Sequence, residues 1–173
     1  KTLLLQQPEI KAIGVASAGI VETLTGTSVC SPHRPDMNEL PLKKYLEEKF
    51  RIPVSLDDIS RSSAIAEWQL GVVQGEEDFV YLYLDEGIGL SLISDGRVYQ
   101  GLYGISGEIG HFIIDENGPR CGCGNRGCLE VFASCKAIIK KGQKALQGGV
   151  FSTIKGKEIT IDNIVSEAQN GDK

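Results

Sequence analysis

A chain of 173 residues is long enough for one ordinary domain or parts of two, and 41% apolar and 24% charged residues with 21 glycines make a globular composition. A formal charge of -5 argues against these residues gripping nucleic acid by themselves. No apolar stretch approaches a bilayer span and no basic-then-apolar leader opens the chain, so no membrane partner and a reducing cytoplasm are expected.

Residues 1–9 read as the end of a helix, and residues 12–16 as a buried strand running into the small-residue turn Ser17-Ala18-Gly19. Residues 20–30 suggest a short hairpin around Thr25-Gly26, and the two prolines of residues 31–38 a loop. Leu40, Leu42, Tyr45, Leu46 and Phe50 fall at helical spacing. Residues 52–56 form a strand leading to Asp57-Asp58, and residues 60–73 a helix with Ile65, Trp68, Leu70 and Val72 as core candidates. Residues 79–84 are a strongly apolar strand, followed by a hairpin turning on Asp95-Gly96. Residues 111–114 predict another strand, residues 128–146 one helix, and residues 160–170 a last helix with Ile161, Ile164, Val165 and Ala168 on one face. Alternation of strands and helices predicts an α/β protein. The helix-end signal Asn170-Gly171-Asp172-Lys173 reads as the edge of a piece of a larger protein.

His111, Cys121, Cys123 and Cys128 are the ligand types and number of a closed, structural zinc site, with Gly122, Gly124 and Gly127 letting the backbone wrap. The alternative, buried thiols beside a core histidine, does not account for the interleaved glycines. Cys30 and Cys135 are isolated and read as packing. Glu108 and Glu130 stand beside the ligands; carboxylates suit vicinal hydroxyls such as a sugar's, and solvation at the surface is the competing reading. Asp57-Asp58 is a candidate acid or base at a strand's C-terminal end, or an N-cap for the helix that follows. In Asp85-Glu86-Gly87-Ile88-Gly89 the glycines Gly87 and Gly89 could cradle phosphate, but the two carboxylates before them oppose it.

Taken together, the run 107–130, Ala16-Ser17-Ala18-Gly19, Ala64-Ile65-Ala66-Glu67, the strand 79–84 and the Asp95-Gly96 hairpin resemble the ROK family (repressors, open reading frames and kinases) over almost the whole chain. The resemblance implies an actin-like ATPase (ribonuclease H-like) fold with two lobes, incomplete here: residues 1–57 in the N-terminal lobe, and 58–173 in the C-terminal lobe with a zinc loop over 111–128. It implies zinc on His111, Cys121, Cys123 and Cys128, and sugar contacts from Asp58, Glu108, His111 and Glu130.

Three departures bear on activity. Ungapped alignment puts Asp58 at the family's sugar-holding Asn and Ile59 at its general base, a loss that typically forfeits about 10²–10⁴-fold in rate. A one-residue shift would make Asp58 the base instead. Asp85-Glu86 replaces the Gly-Thr of the phosphate loop, and the family's N-terminal phosphate motif and a winged-helix DNA-binding domain are not in these residues. The expectation is therefore the sugar-sensing region of a ROK-type transcriptional regulator, a homo-oligomer taking a monosaccharide in the cleft between lobes and reaching DNA through a domain outside this chain. The alternative is an ATP-dependent sugar kinase for a hexose or amino sugar, with ATP as cofactor. A zinc-stabilised interaction module without ligand is a third reading.

Overall fold

Short apolar runs bounded by turn residues pair into three small sheets in the computed structural model, which describes residues 10–32, 34–102 and 104–172. The expected helical end over residues 1–9 lies outside the described residues. The chain divides into two compact units, Lys1–Leu82 with Leu90–Gly107, and Tyr83–Gly89 with Glu108–Lys173. These are clusters within the chain; the lobe boundary expected at 57/58 concerns the whole two-lobed fold and is a different division.

In the first unit, β1 (Ile13–Ser17) leads into the antiparallel pair β2 (Ile20–Glu22) and β3 (Thr27–Cys30), the hairpin expected around Thr25-Gly26. The expected loop carries one 3₁₀ turn at Pro35–Met37. Helix α1 (Leu42–Phe50) follows, and then β4 (Val54–Asp58), which pairs with β1 in parallel from Ile13↔Val54 to Ser17↔Asp58. Val21, Leu42 and Leu56 are buried together, with Val15, Met37, Leu40 and Leu46 packed around them. Full burial of such side chains stabilises by about 1.5–3 kcal/mol each. The parallel pair thereby presents Asp57 and Asp58 at its C-terminal end.

Helix α2 (Ile59–Leu70) buries Ser60, Arg61 and Ala64, whereas Leu70 is 85% and Val72 95% exposed. Those two core candidates are corrected: the helix stops at Gly71, and the helical stripe does not continue to carry Leu70 and Val72 inward. Trp68 instead packs edge-on against Phe79, with ring centroids 6.4 Å apart.

Strands β5 (Phe79–Leu84), β6 (Ile88–Ser94) and β7 (Arg97–Tyr99) form one sheet in the order β5-β6-β7. The turn between β6 and β7 has φ +51° at Asp95 and +65° at Gly96, the two-residue hairpin predicted from the Asp-Gly pair.

In the second unit two expectations are corrected. Residues 111–114 are not a strand: Ile109–His111 is a 3₁₀ turn, and only the bridge Ile113↔Cys128 follows. Residues 128–146 are not one helix but two, α3 (Glu130–Ala133) and α4 (Cys135–Gln147). Ser134 is extended (ψ 156°) and caps α4 by accepting from the Ala137 amide, while the Cys135 amide donates to the Asp85 carbonyl at 2.9 Å. That tertiary bond claims an amide a continuous helix would have used. Helix α5 (Ile161–Gln169), capped by Thr160, packs against α4. Among the described residues no helix is long and apolar enough to cross a membrane.

Candidate metal centre and adjoining carboxylates

The candidate metal ligands come together because residues 112–129 fold back on themselves. The Leu129 amide donates to the Phe112 carbonyl at 2.9 Å and the Ile114 amide to the Gly127 carbonyl at 2.8 Å, either side of the Ile113↔Cys128 bridge. Inside this frame the Gly127 amide donates to the Pro119 carbonyl and the Cys121 amide to the Asn125 carbonyl, so the thiols turn to a common point.

His111, Cys121, Cys123 and Cys128 place their ligand atoms within 4.8 Å of one another, a group that could hold a metal ion. Tetrahedral zinc, with sulfur at about 2.3 Å and nitrogen at about 2.0–2.1 Å, sets ligand edges of about 3.8 Å between sulfurs and about 3.6 Å from sulfur to nitrogen. Here Cys123 Sγ and Cys128 Sγ are 3.7 Å apart, and Cys121 Sγ lies 3.6 Å from His111 Nδ1. The donor set fits zinc in its chemistry, and these two edges match a tetrahedral site. Burial pushes the Cys128 thiol up to about 12 and raises Cys121. At the exposed Cys123 burial acts the same way but is outweighed, chiefly by the Asn125 amide and the neighbouring thiols, and the pKa falls. A bound cation would favour all three thiolates.

With Nδ1 turned to the thiols, His111 points Nε2 at Glu108, whose Oε2 is 3.8 Å away. That gap exceeds a direct hydrogen bond and suits a bridging hydroxyl or water. Glu130 is buried, 8% exposed, and its Oε2 accepts from the Ile88 amide at 3.2 Å, so surface solvation does not describe it.

The turn holding Gly87 and Gly89 closes with the Asp85 amide donating to the Gly87 carbonyl at 3.0 Å. Asp85 and Glu86 are both exposed beside it, and the Ile88 amide is already taken by the Glu130 carboxylate. Negative charge therefore occupies the surroundings where a phosphate would need backbone amides.

Asp58 belongs to the first unit. It is the N-cap of α2, accepting from the Arg61 amide at 3.0 Å, which is the capping reading of the Asp57-Asp58 pair. Burial raises its carboxyl above the ordinary range, against the lowering effects of the Arg61 and Ser60 amides and of the Arg61 charge. Ile59 opens the helix directly after it. Sequence reasoning passed over Arg61, which is 2% exposed and binds Asp57 Oδ1 through Nε at 2.7 Å. Asp57 lies on β4, ahead of the helix, so no helical pairing rule signalled the contact.

The sequence pattern of the ROK family matches residues 2–173. A xylose repressor from Bacillus spizizenii is 33% identical over 161 residues, which cover 86% of this chain and 39% of the repressor. A solved ROK family transcriptional regulator, described as a homologue of the E. coli MLC protein, superposes with a TM-score of 0.84 at 32% identity, over 99% of this chain and 44% of that one. A ROK family glucokinase from Streptomyces griseus, solved with glucose and AMPPNP, gives a TM-score of 0.79 at 27% identity, over 95% of this chain and 55% of the kinase. The chain thus spans between two fifths and just over half of the length of these relatives. Its fold is the one these regulators and sugar kinases share, the actin-like ATPase fold, present here in part. With the family pattern running from Thr2 to the last residue, the chain belongs to the ROK family.

Proposed function

We propose that this chain is the sugar-sensing region of a ROK-type transcriptional regulator. One observation carries the reading: His111 divides its ring, Nδ1 to the thiol cluster and Nε2 to Glu108, so that a structural ion would fix a polar edge beside a carboxylate. His111, Cys121, Cys123 and Cys128 would hold zinc, which supplies a rigid, charged anchor for the loop and no open coordination position. Glu108, the Nε2 edge of His111, and Glu130 would take the hydroxyls of a monosaccharide. Residues 1–57 then belong to the N-terminal lobe and 58–173 to the C-terminal lobe of the complete protein. The full-length protein is expected to be a cytoplasmic homo-oligomer whose winged-helix domains meet DNA.

A hundredfold change in DNA affinity requires sugar to discriminate between two states by about 2.7 kcal/mol. Hydrogen bonds to charged groups contribute about 1.5–3 kcal/mol each, so one or two that differ between the states suffice.

The ATP-dependent sugar kinase is the second reading, supported by the likeness to the glucokinase and by a carboxyl raised by burial at Asp58. Against it stand Ile59 at the aligned base position and the exposed Asp85-Glu86 turn.

Calorimetric titration of the full-length protein with D-xylose, D-glucose and N-acetyl-D-glucosamine tests both readings, alongside Glu108→Gln and Glu130→Gln. Sugar binding weakened by either substitution, without sugar-dependent ATP turnover, is the expected result. Turnover abolished by Asp58→Asn establishes the kinase, and indifference of sugar affinity to both glutamates ends the sugar-site reading.

A further inference from the structure

Arg61 is a fully buried cation that the sugar site and the metal cluster leave unexplained. Its Nε donates to Asp57 Oδ1 at 2.7 Å and its Nη1 to the Gly104 carbonyl at 2.8 Å, across 43 residues of sequence. Nη2 is buried with no partner among the described residues. Asp57 Oδ1 also accepts from the Asp58 amide at 2.7 Å, so the guanidinium is keyed to the strand end that presents both aspartates.

Stability does not explain this arrangement. A buried ion pair is offset against the desolvation of both charges, and an apolar side chain of similar volume commonly serves a core as well or better. A guanidinium with one terminal nitrogen unpartnered among the described residues is further from balance still. What the planar fork supplies, and an apolar group cannot, is direction: it fixes the Gly104 carbonyl relative to Asp57.

Gly104 is four residues before Glu108. Between them, Ser106 Oγ donates to the Tyr99 carbonyl at 2.7 Å, and the Gly107 carbonyl accepts from the Leu90 amide at 2.9 Å. Segment 104–107 is therefore tied at both ends, by Arg61 at its start and by β6 at its finish, and Glu108 is the next residue along the chain.

We propose that Arg61 is a positioning residue for sugar recognition, holding segment 104–107 so that Glu108 leaves it in the geometry the sugar requires. The inference rests on the reading of Glu108 as a sugar ligand. It assigns Arg61 no contact with the sugar itself.

The test compares Arg61→Met and Arg61→Lys in the full-length protein, with D-xylose, D-glucose and N-acetyl-D-glucosamine as probes in calorimetry. Metal content and far-UV circular dichroism are followed on the same samples. Arg61→Met is expected to keep its fold and metal while its dissociation constant for the bound probe rises about 10- to 100-fold, the usual effect of removing a group that orients a ligand. Arg61→Lys, which can reach Asp57 but has no fork to hold Gly104 at the same time, should recover only part of that loss. A purely structural role would instead lower the denaturation midpoint and leave the affinity of the folded protein unchanged, and that result overturns the proposal. If Arg61→Met does not fold, folded Arg61→Lys decides: a raised dissociation constant supports positioning and an unchanged one refutes it. Failure of the underlying reading is seen separately, as wild-type protein that binds none of the probes or a Glu108→Gln protein with wild-type affinity; either removes the inference along with the reading.

Discussion

Gly127→Ala is the sharpest probe of how the ligand loop is built. At this position φ is +67°, and a Cβ would sit 1.5 Å from the Asp115 carbonyl oxygen. Placing alanine at positive φ costs about 1–2 kcal/mol. The clash adds to this, since the Asp115 carbonyl or Gly127 itself must move. Bonds at stake are the Gly127 amide to Pro119 at 2.9 Å and the Ile114 amide to Gly127 at 2.8 Å. Losing both at about 1 kcal/mol each brings the total to about 3–4 kcal/mol. Ordering of a metal loop and metal binding draw on the same free energy, so the penalty should appear as a fall in apparent zinc affinity of about 10²–10³-fold. Gly124→Ala is the control: its φ is +98°, yet nothing lies within 4 Å of its Cβ. It carries only the conformational cost, about 5- to 30-fold in affinity. Competition against a chromophoric chelator measures both. Equal losses in the two variants, or wild-type affinity in Gly127→Ala, would refute the idea that close approach of the Asp115 carbonyl shapes the site.

Burial raises the Asp58 carboxyl above its unfolded value, so the native state holds that proton more tightly than the unfolded chain does. The penalty of ionising it is absent below the unfolded value, grows as pH rises from there towards the raised native pKa, and is complete above it; Asp58→Asn, which keeps an N-cap, should gain stability relative to wild type at neutral pH compared with about pH 4. Urea denaturation at the two pH values checks this, and a stability difference independent of pH contradicts it. Ser134→Ala removes the hydroxyl that accepts from the Ala137 amide at 3.2 Å and should destabilise the second unit by about 1 kcal/mol. Denaturation followed by circular dichroism measures the loss, and an unchanged midpoint would show that the cap does not hold the break between α3 and α4.

The features legible in the sequence are those decided by near neighbours. The candidate ligand set lies within residues 111–128, and its side chains converge through bonds made inside the same stretch, so composition and spacing sufficed to single out the cluster. Asp95-Gly96 specified its own turn because the two residues tolerate positive φ. Thr160 marked the start of α5 in the same local way. Periodicity went wrong where distant segments intervened. Residues 128–146 carry helical spacing throughout, yet the Asp85 carbonyl takes the Cys135 amide and the helix breaks at Ser134.

Burial is the property that sequence alone could not assign, because it depends on which segments arrive from elsewhere. Leu70 and Val72 look like core and are exposed; Arg61 and Glu130 look like surface and are buried. Each buried charge is held by a partner far along the chain, Arg61 by Gly104 and Glu130 by Ile88. Residue type and local spacing were enough to recognise the family and to single out the candidate ligand set and carboxylates. That His111 turns Nδ1 to the thiols and Nε2 to Glu108, and that Arg61 ties α2 to the segment before Glu108, emerges solely from the folded arrangement. The direction of a ring or a guanidinium is set by partners that no spacing rule encodes.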